Sequence, residues 1–201
     1  MSVKHLLSVV AALALVPGVR ADILSEVPKA DRAELAEGEV VVKSKTIAGK
    51  PWPELSLYQV VNASPKVVWN LFTDYDSAAT YTPNLIDAKV IATNPDGSKD
   101  VQFTVKVPVL QKISYTVRNS YIQKPNYSEV DWTLLKSPLA KSSDGSLRIE
   151  PYGKGQTLMC YTNLCVPVTN LVAGLKNQAL NEAKATVAAI TAEAERRAGG
   201  N

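Results

Sequence analysis

A chain of 201 residues, 46% of them hydrophobic, is long enough to bury one sizeable core and suits a single domain. Its 22 basic and 19 acidic residues nearly balance, and the lysines do not cluster. Because a nucleic-acid partner requires a concentrated basic face, this composition argues against one.

The start of the chain has the pattern of a secretory signal peptide. Lys4 and His5 give a short basic region, and residues 6–16 form an apolar run too short to span a bilayer comfortably. Ala21 then offers a small residue at the cleavage position. We therefore expect residues 1–21 to be removed and the protein to be exported, to the periplasm or outside the cell. An uncleaved membrane anchor is the alternative.

Cleavage there would remove the only histidine of the chain, which is His5. Without histidine, Ser-His-Asp and Cys-His catalysis and histidine metal ligation are excluded. Loss of Lys4 and Arg20 would leave 20 basic against 19 acidic residues, a formal charge of +1. Two cysteines alone make a poor zinc site, so neither a metal nor a cofactor is expected.

The two cysteines, Cys160 and Cys165, lie five residues apart in a segment that predicts a strand. Five strand residues separate the α-carbons by roughly 16 Å, and an odd spacing directs the side chains to opposite faces. We therefore expect two unpaired thiols. A disulfide would need a bulge or sharp turn, and it is kept as the alternative.

After the signal segment, residues 22–37 carry mixed charges and predict a helical lead-in that ends at Gly38. Residues 39–47 and 55–63 are rich in β-branched side chains, and they predict two strands joined by a turn that contains glycine and proline.

A short helix is predicted next, because Ser64 is a good N-cap and Pro65 fits the first helical position. Val68, Leu71 and Phe72 follow at i, i+3 and i+4 spacing, so one face of this helix is apolar and must be buried. The polar segment after it predicts a second short helix.

From residue 86 the sequence predicts an antiparallel meander of strands joined by short turns. The predicted strands are residues 87–93, 100–109, 112–122, 127–135, 146–150 and 156–166, with a polar loop over residues 136–145. Period-two alternation indicates which side chains share the apolar face of this sheet. They are Val101, Phe103, Val105, Val107, Val109, Ile113, Tyr115, Val117, Asn119, Tyr121, Val130, Trp132, Leu134, Leu158, Cys160, Thr162, Leu164 and Val166.

A long helix is predicted over residues 168–197, roughly 45 Å at 1.5 Å per residue. Apolar residues recur there every three or four positions, at Val168, Val172, Leu175, Ala179, Ala183, Val187, Ile190 and Ala194. The small alanine side chains suit close packing on the sheet, so this helix is the expected cover of the apolar face.

This order of elements resembles the helix-grip fold of the START-related and birch-pollen-allergen-like superfamily, which includes the polyketide cyclases. The residues that carry the resemblance are Ala63, Ser64, Pro65, Val68, Trp69, Leu71, Asp74, Tyr75 and Pro83. It covers approximately residues 38–197 and implies an α+β domain, residues 38–198. In that fold a curved antiparallel sheet, here of about seven strands, wraps around the C-terminal helix, with two short helices near the N-terminal part.

The resemblance also implies a cavity between sheet and helix that takes a hydrophobic molecule. A single stripe of small residues cannot fill a curved sheet, which argues for the same cavity. The expected lining residues are Phe103, Tyr115, Val117, Asn119, Tyr121, Trp132, Cys160, Thr162 and Leu175. The alternative is that these aromatic residues form ordinary core, since they favour half-buried pleated surfaces in any protein.

Two polar residues have more than one interpretation. Asn119 lies on the apolar face, so its amide either bonds to neighbouring protein groups or binds a polar atom of the ligand. Arg118 is expected to face outward, although a bulge would turn it inward and make it an anion clamp. Asp74 and Asp76 are read as helix-capping residues, with Asp76 the N-cap, rather than as a catalytic pair.

Three functions are compatible with these observations. The first is an exported protein that binds a hydrophobic small molecule, of the lipid or isoprenoid class, with transient membrane contact. The second is an enzyme similar to polyketide cyclases and aromatases; it is less favoured, because a chain without histidine lacks a base that titrates near neutrality. The third is an envelope interaction module without ligand, which would expose an apolar patch around Leu24, Val27 and Leu35 of the lead-in.

Overall fold

A computed structural model describes residues 22–107, 111–169 and 175–200. Its single sheet has eight antiparallel strands in the spatial order β1-β2-β8-β7-β6-β5-β4-β3, so β1 and β3 form the edges. The strands are β1 (Val41–Lys45), β2 (Glu54–Val61), β3 (Leu85–Thr93), β4 (Lys99–Val107), β5 (Gln111–Lys124), β6 (Tyr127–Lys136), β7 (Ala140–Tyr152) and β8 (Gln156–Pro167). The predicted signal peptide lies outside the described residues.

The helices lie on both sides of this sheet. They are α1 (Ile23–Glu26), a 3-10 turn (Lys29–Asp31) and α2 (Arg32–Ala36) in the lead-in, then α3 (Pro65–Thr73), α4 (Tyr75–Ala78) and the C-terminal α5 (Lys176–Gly199). Among the helices in the part of the chain that the structure describes, none is long and apolar enough to cross a membrane.

The concave face of the sheet packs on α5 and α3. Val187, Ile190 and Ala194 of α5 meet residues of β2, β7 and β8, including Leu57, Leu147 and Met159, in one buried cluster. Val68 and Leu71 join it, so the predicted apolar face of α3 is buried as expected. Burial of this face is what holds α3 across one end of the sheet.

The lead-in helices cover part of the convex face. Ile23, Val27 and Leu35 are fully buried against Tyr58, Leu158 and other residues of β1, β2 and β8. The exposed lead-in patch expected of an interaction module is therefore wrong, because this segment is amphipathic and uses its apolar side to cover the sheet.

The structure corrects three further expectations. The sheet has eight strands rather than about seven. Residues 140–145, predicted as loop, belong to β7, because their backbone groups pair with β8 although their side chains are polar. The C-terminal helix begins at Lys176, so Val168 precedes it without helical structure, and Val172 lies outside the described residues.

The two short helices meet at Asp74, which ends α3 and is also the N-cap of α4. Its carboxylate accepts a hydrogen bond from the Ser77 hydroxyl at 2.6 Å, and Arg197 of α5 lies 3.8 Å away. Asp76, the predicted N-cap, is instead exposed in the first turn of α4. Both aspartates thus lie at the helix junction.

Candidate hydrophobic ligand site

A cavity of about 450 Å³ separates the concave face of the sheet from α5. Ligand pockets in proteins commonly measure about 300–1,000 Å³, so this volume suits a small molecule. On the α5 side the wall is formed by small and medium residues, among them Ala179, Ala183 and Ile190. The small side chains of the alanines on α5 therefore leave space between this helix and the sheet.

Aromatic rings line the cavity in two rows. In the first row the Phe103 ring stacks on Tyr115 with 5.5 Å between centroids and meets Tyr75 of α4 edge-on at 6.2 Å. The second row joins β8, β6 and α3: the Trp132 ring lies 5.1 Å from Tyr161 and 6.3 Å from Phe72. Because the rows come from different strands and helices, only the closed fold makes them the walls of one cavity.

Gly145 of β7 makes room for the ring of Trp132. A Cβ atom at this position would lie 2.4 Å from the Trp132 ring and 2.3 Å from the carbonyl oxygen of Thr162, far inside van der Waals contact. The glycine therefore lets the indole ring approach the backbone of β7 closely.

Three polar side chains form a hydrogen-bonded group at the cavity wall, and two of them, Tyr75 and Asn119, line the space. The Asn119 amide donates to the Tyr75 hydroxyl at 2.7 Å, and that hydroxyl shares a second hydrogen bond with Tyr121 at 2.6 Å. Burial, together with the bond to Tyr121, raises the pKa of Tyr75 well above its usual value. Asn119 therefore has a protein partner, as the first of its two interpretations expected.

A second polar group lines the cavity on strands β6, β7 and β8. The Asn163 side-chain oxygen accepts hydrogen bonds from the Ser143 hydroxyl at 3.0 Å and from the Trp132 indole nitrogen at 3.4 Å. These three residues all line the cavity. The indole therefore has its polar atom satisfied, and its apolar rim faces the space.

Six of the nine predicted lining residues surround the cavity: Phe103, Tyr115, Val117, Asn119, Trp132 and Leu175. Tyr121 lies behind Tyr75 with its ring edge-on to Trp69 at 6.2 Å, and it does not line the space. Whether any of these residues contacts a ligand stays a prediction.

The placement of Cys160 and Thr162 in the cavity is wrong. Cys160 packs under the lead-in with Tyr58 and Leu158, and the Thr162 hydroxyl lies 3.5 Å from its sulfur on the same convex side. The concave residues of β8 are those of opposite parity, including Tyr161 and the half-buried Cys165. Both faces of this strand are covered, so the residues from Leu158 to Tyr161 are all apolar. Alternation of polar and apolar residues therefore could not indicate which of them face the cavity.

The expectation of unpaired cysteines is confirmed: the Cys160 and Cys165 side chains point to opposite faces of β8 and form no disulfide. Burial raises the pKa of both thiols, that of Cys165 to about 11. Arg118 faces outward as predicted, with bonds of 2.7 and 2.9 Å to the Asp100 carboxylate.

A second pocket, of about 460 Å³, lies on the convex side and is polar. Its centre is an ion pair in which the Arg148 guanidinium donates to both carboxylate oxygens of Glu26, at 2.6 and 2.5 Å. Tyr58 donates to the same carboxylate, and Lys43 bonds to the Glu26 carbonyl oxygen. Because these groups are paired with one another, we assign the hydrophobic ligand site to the concave cavity.

No cluster of three or more histidine, cysteine or acidic side chains suited to a metal ion occurs among the residues with described positions. The cavity wall itself consists mainly of apolar and aromatic side chains and neutral polar ones. What this arrangement can do chemically is enclose an apolar molecule and bond to neutral polar atoms on it.

Known structures share this architecture. A STAR-related lipid transfer protein from Xanthomonas axonopodis superposes with a TM-score of 0.67 at 10% identity, over 77% of this chain and 93% of that one. Human StAR-related lipid transfer protein 5 gives 0.63 at 11% identity, over 80% and 83%. The Zhui aromatase/cyclase from a Streptomyces species gives 0.57 at 20% identity, over 72% and 94%.

No protein-family model matches the sequence, and no curated protein does. Identities of 10 to 20% establish the fold and nothing finer. The chain therefore has the START-like helix-grip fold, shared with lipid-transfer domains and polyketide aromatase/cyclases, as the resemblance implied.

Proposed function

We propose that this protein is an exported binding protein for a hydrophobic small molecule of the lipid or isoprenoid class. The observation that carries the proposal is the cavity of about 450 Å³ between the concave face and α5. An apolar space of this size left empty forfeits dispersion contacts on every wall, and a bound apolar molecule restores them. Relatives in fold that are named lipid transfer proteins support the same class of ligand.

Binding is favoured over cyclase chemistry by the state of the polar groups. Burial raises the pKa of Tyr75 and Tyr115, that of Tyr115 to about 12, so neither phenol is poised to exchange a proton near neutral pH. Asn119 is already bonded to Tyr75, and Arg118 is bonded to Asp100 on the outer face. The candidate catalytic groups are Tyr75, Tyr115, Asn119 and Arg118. None of them therefore presents a charge to the cavity that could guide a reaction.

Filling the cavity tests the proposal directly. Ala183 lines the space, whereas Ala188 lies on the exposed side of the same helix. We expect Ala183→Phe to weaken binding of the apolar dye N-phenyl-1-naphthylamine at least tenfold, and Ala188→Phe to leave it unchanged. Fluorescence titration measures both, and an equal effect of the two substitutions would contradict the proposal.

The natural ligand can be identified from protein that is purified with its ligand bound. Organic extract of the protein, purified from its native compartment, should contain a stoichiometric lipid by mass spectrometry.

Export is part of the proposal, and the processed chain should begin at Asp22. Transfer of an apolar ligand would also require transient contact with a membrane, which vesicle-to-vesicle transfer of the dye measures.

A further inference from the structure

Two tyrosine residues that line the cavity have hydroxyls without a hydrogen-bond partner among the residues that the structure describes. Tyr115 of β5 and Tyr161 of β8 both line the space, and among the described residues neither hydroxyl has a bond to a protein group. Their rings are held firmly, Tyr115 stacked on Phe103 and Tyr161 packed on Trp132. This differs from Tyr75, whose hydroxyl is bonded to both Asn119 and Tyr121.

Both phenols line the same cavity and are uncharged near neutral pH. Burial raises the pKa of both phenols, and the proximity of Tyr115 raises that of Tyr161 further. Near neutral pH each phenol therefore keeps its proton and is a hydrogen-bond donor. Two unpaired donors on the wall of one mainly apolar space suit a ligand that carries an acceptor atom.

The cavity offers little to a charged ligand. Lys106 and Glu182 are the only charged residues among its described lining. Lys106 is exposed to solvent, and Glu182 accepts solvent-exposed hydrogen bonds from Asn84 at 3.1 and 3.2 Å. A carboxylate or phosphate buried in the cavity away from Lys106 would have no cation to pair with and would be strongly disfavoured.

We propose that the cavity selects neutral hydrophobic molecules that carry a carbonyl or hydroxyl oxygen, which accepts a hydrogen bond from Tyr115 or Tyr161. The inference rests on the proposed binding function and narrows it, since it disfavours fatty acids and phospholipids as cargo. A buried phenol without a partner costs free energy, and a ligand oxygen that supplies the missing bond recovers it.

Three compounds of one skeleton test this selectivity: 2-acetylnaphthalene, 2-ethylnaphthalene and 2-naphthoate. Their dissociation constants follow from displacement of N-phenyl-1-naphthylamine. We expect the naphthoate to bind at least tenfold more weakly than the ketone. In Tyr115→Phe/Tyr161→Phe, the preference for ketone over hydrocarbon should fall about tenfold, or about 1.4 kcal/mol. Comparing this ratio between the wild-type protein and the variant cancels the difference in hydrophobicity between the two compounds.

Tyr152→Phe is the matched control, because Tyr152 packs on the convex side and should leave the ratio unchanged. The wild-type comparison of ketone with naphthoate stands even if the double variant does not fold. An unchanged ratio in a variant that still binds the dye, or equal affinity for naphthoate and ketone, would overturn this inference alone. Failure of the wild-type protein to bind the dye would overturn the proposed function, and this inference with it.

Discussion

Helices cover both faces of the sheet, yet the convex face carries a polar pocket built around an ion pair, whereas the concave face encloses a mainly apolar cavity. On the convex face, Ile23, Val27 and Leu35 of the lead-in are fully buried against the strands. On the concave face, α5 brings Ala179 and Ala183 to a wall of aromatic rings and leaves about 450 Å³ open. Where α5 presents alanines the concave face keeps open space, whereas the isoleucine, valine and leucine of the lead-in fill the space over their part of the convex face.

The two faces also treat polar groups differently. The Arg148 guanidinium is almost completely buried beneath the lead-in, and the Glu26 carboxylate pairs with it in a two-bond ion pair. On the concave face the Tyr115 and Tyr161 hydroxyls lack such partners among the described residues. Polar groups that are satisfied within the protein stabilise the fold, whereas those left open are available to a ligand.

Truncation of a leucine on each face should give the largest contrast. Leu35 is fully buried under the lead-in, whereas Leu134 lines the cavity and already has one side without contacts. We expect Leu35→Ala to lower the free energy of unfolding by about 3 kcal/mol and Leu134→Ala by about 1 kcal/mol. Urea denaturation measures both. Equal losses would mean that the cavity wall is packed as tightly as the convex core.

Removal of the lead-in carboxylate should have the next largest effect. Glu26→Gln leaves the buried Arg148 charge without its partner, so we expect a loss of about 2 kcal/mol in unfolding free energy. Glu34→Gln, at an exposed position of α2, is the matched control and should change little. Dye binding in the concave cavity should stay unchanged in both variants. A loss of binding in Glu26→Gln would show that the two faces are coupled.

The smallest expected effect is a dependence of stability on pH. Burial, with the Asp22 carboxyl nearby, raises the pKa of Glu150 to about 7, although the Ile23 amide that donates to it at 3.1 Å opposes this. Since the pKa of an unfolded glutamate is about 4.3, the folded state binds the proton more tightly, and stability falls as the pH rises from about 4 to about 7.

We therefore expect the urea midpoint of the wild-type protein to be lower at pH 8 than at pH 5, and Glu150→Gln to flatten this difference. The Glu150 carboxyl accepts a hydrogen bond from the Ile23 backbone amide of the lead-in. We therefore expect the loss of stability at high pH to be detected first as faster proteolysis of the lead-in. The same decline in Glu150→Gln would assign the pH dependence to another group.

Much of the fold could be predicted because most strands and helices have one apolar face and one polar face. Strands β4, β5 and β6 alternate between polar and apolar residues, and the structure places Phe103, Tyr115 and Trp132 in the cavity as the alternation indicated. The apolar face of α3, with Val68 and Leu71, was found in the same way. Strand β8 is apolar on both faces, so alternation could not tell Cys160 from Tyr161.

The sequence by itself determined the order of helices and strands, the buried face of α3 and the stripe of α5, because these follow from local periodicity. Only the tertiary structure decided which face the lead-in covers, which cysteine lies toward the cavity, and that Tyr115 and Tyr161 face one space. The physical reason is that these relations join residues far apart in the chain, and the curvature of the sheet brings them together.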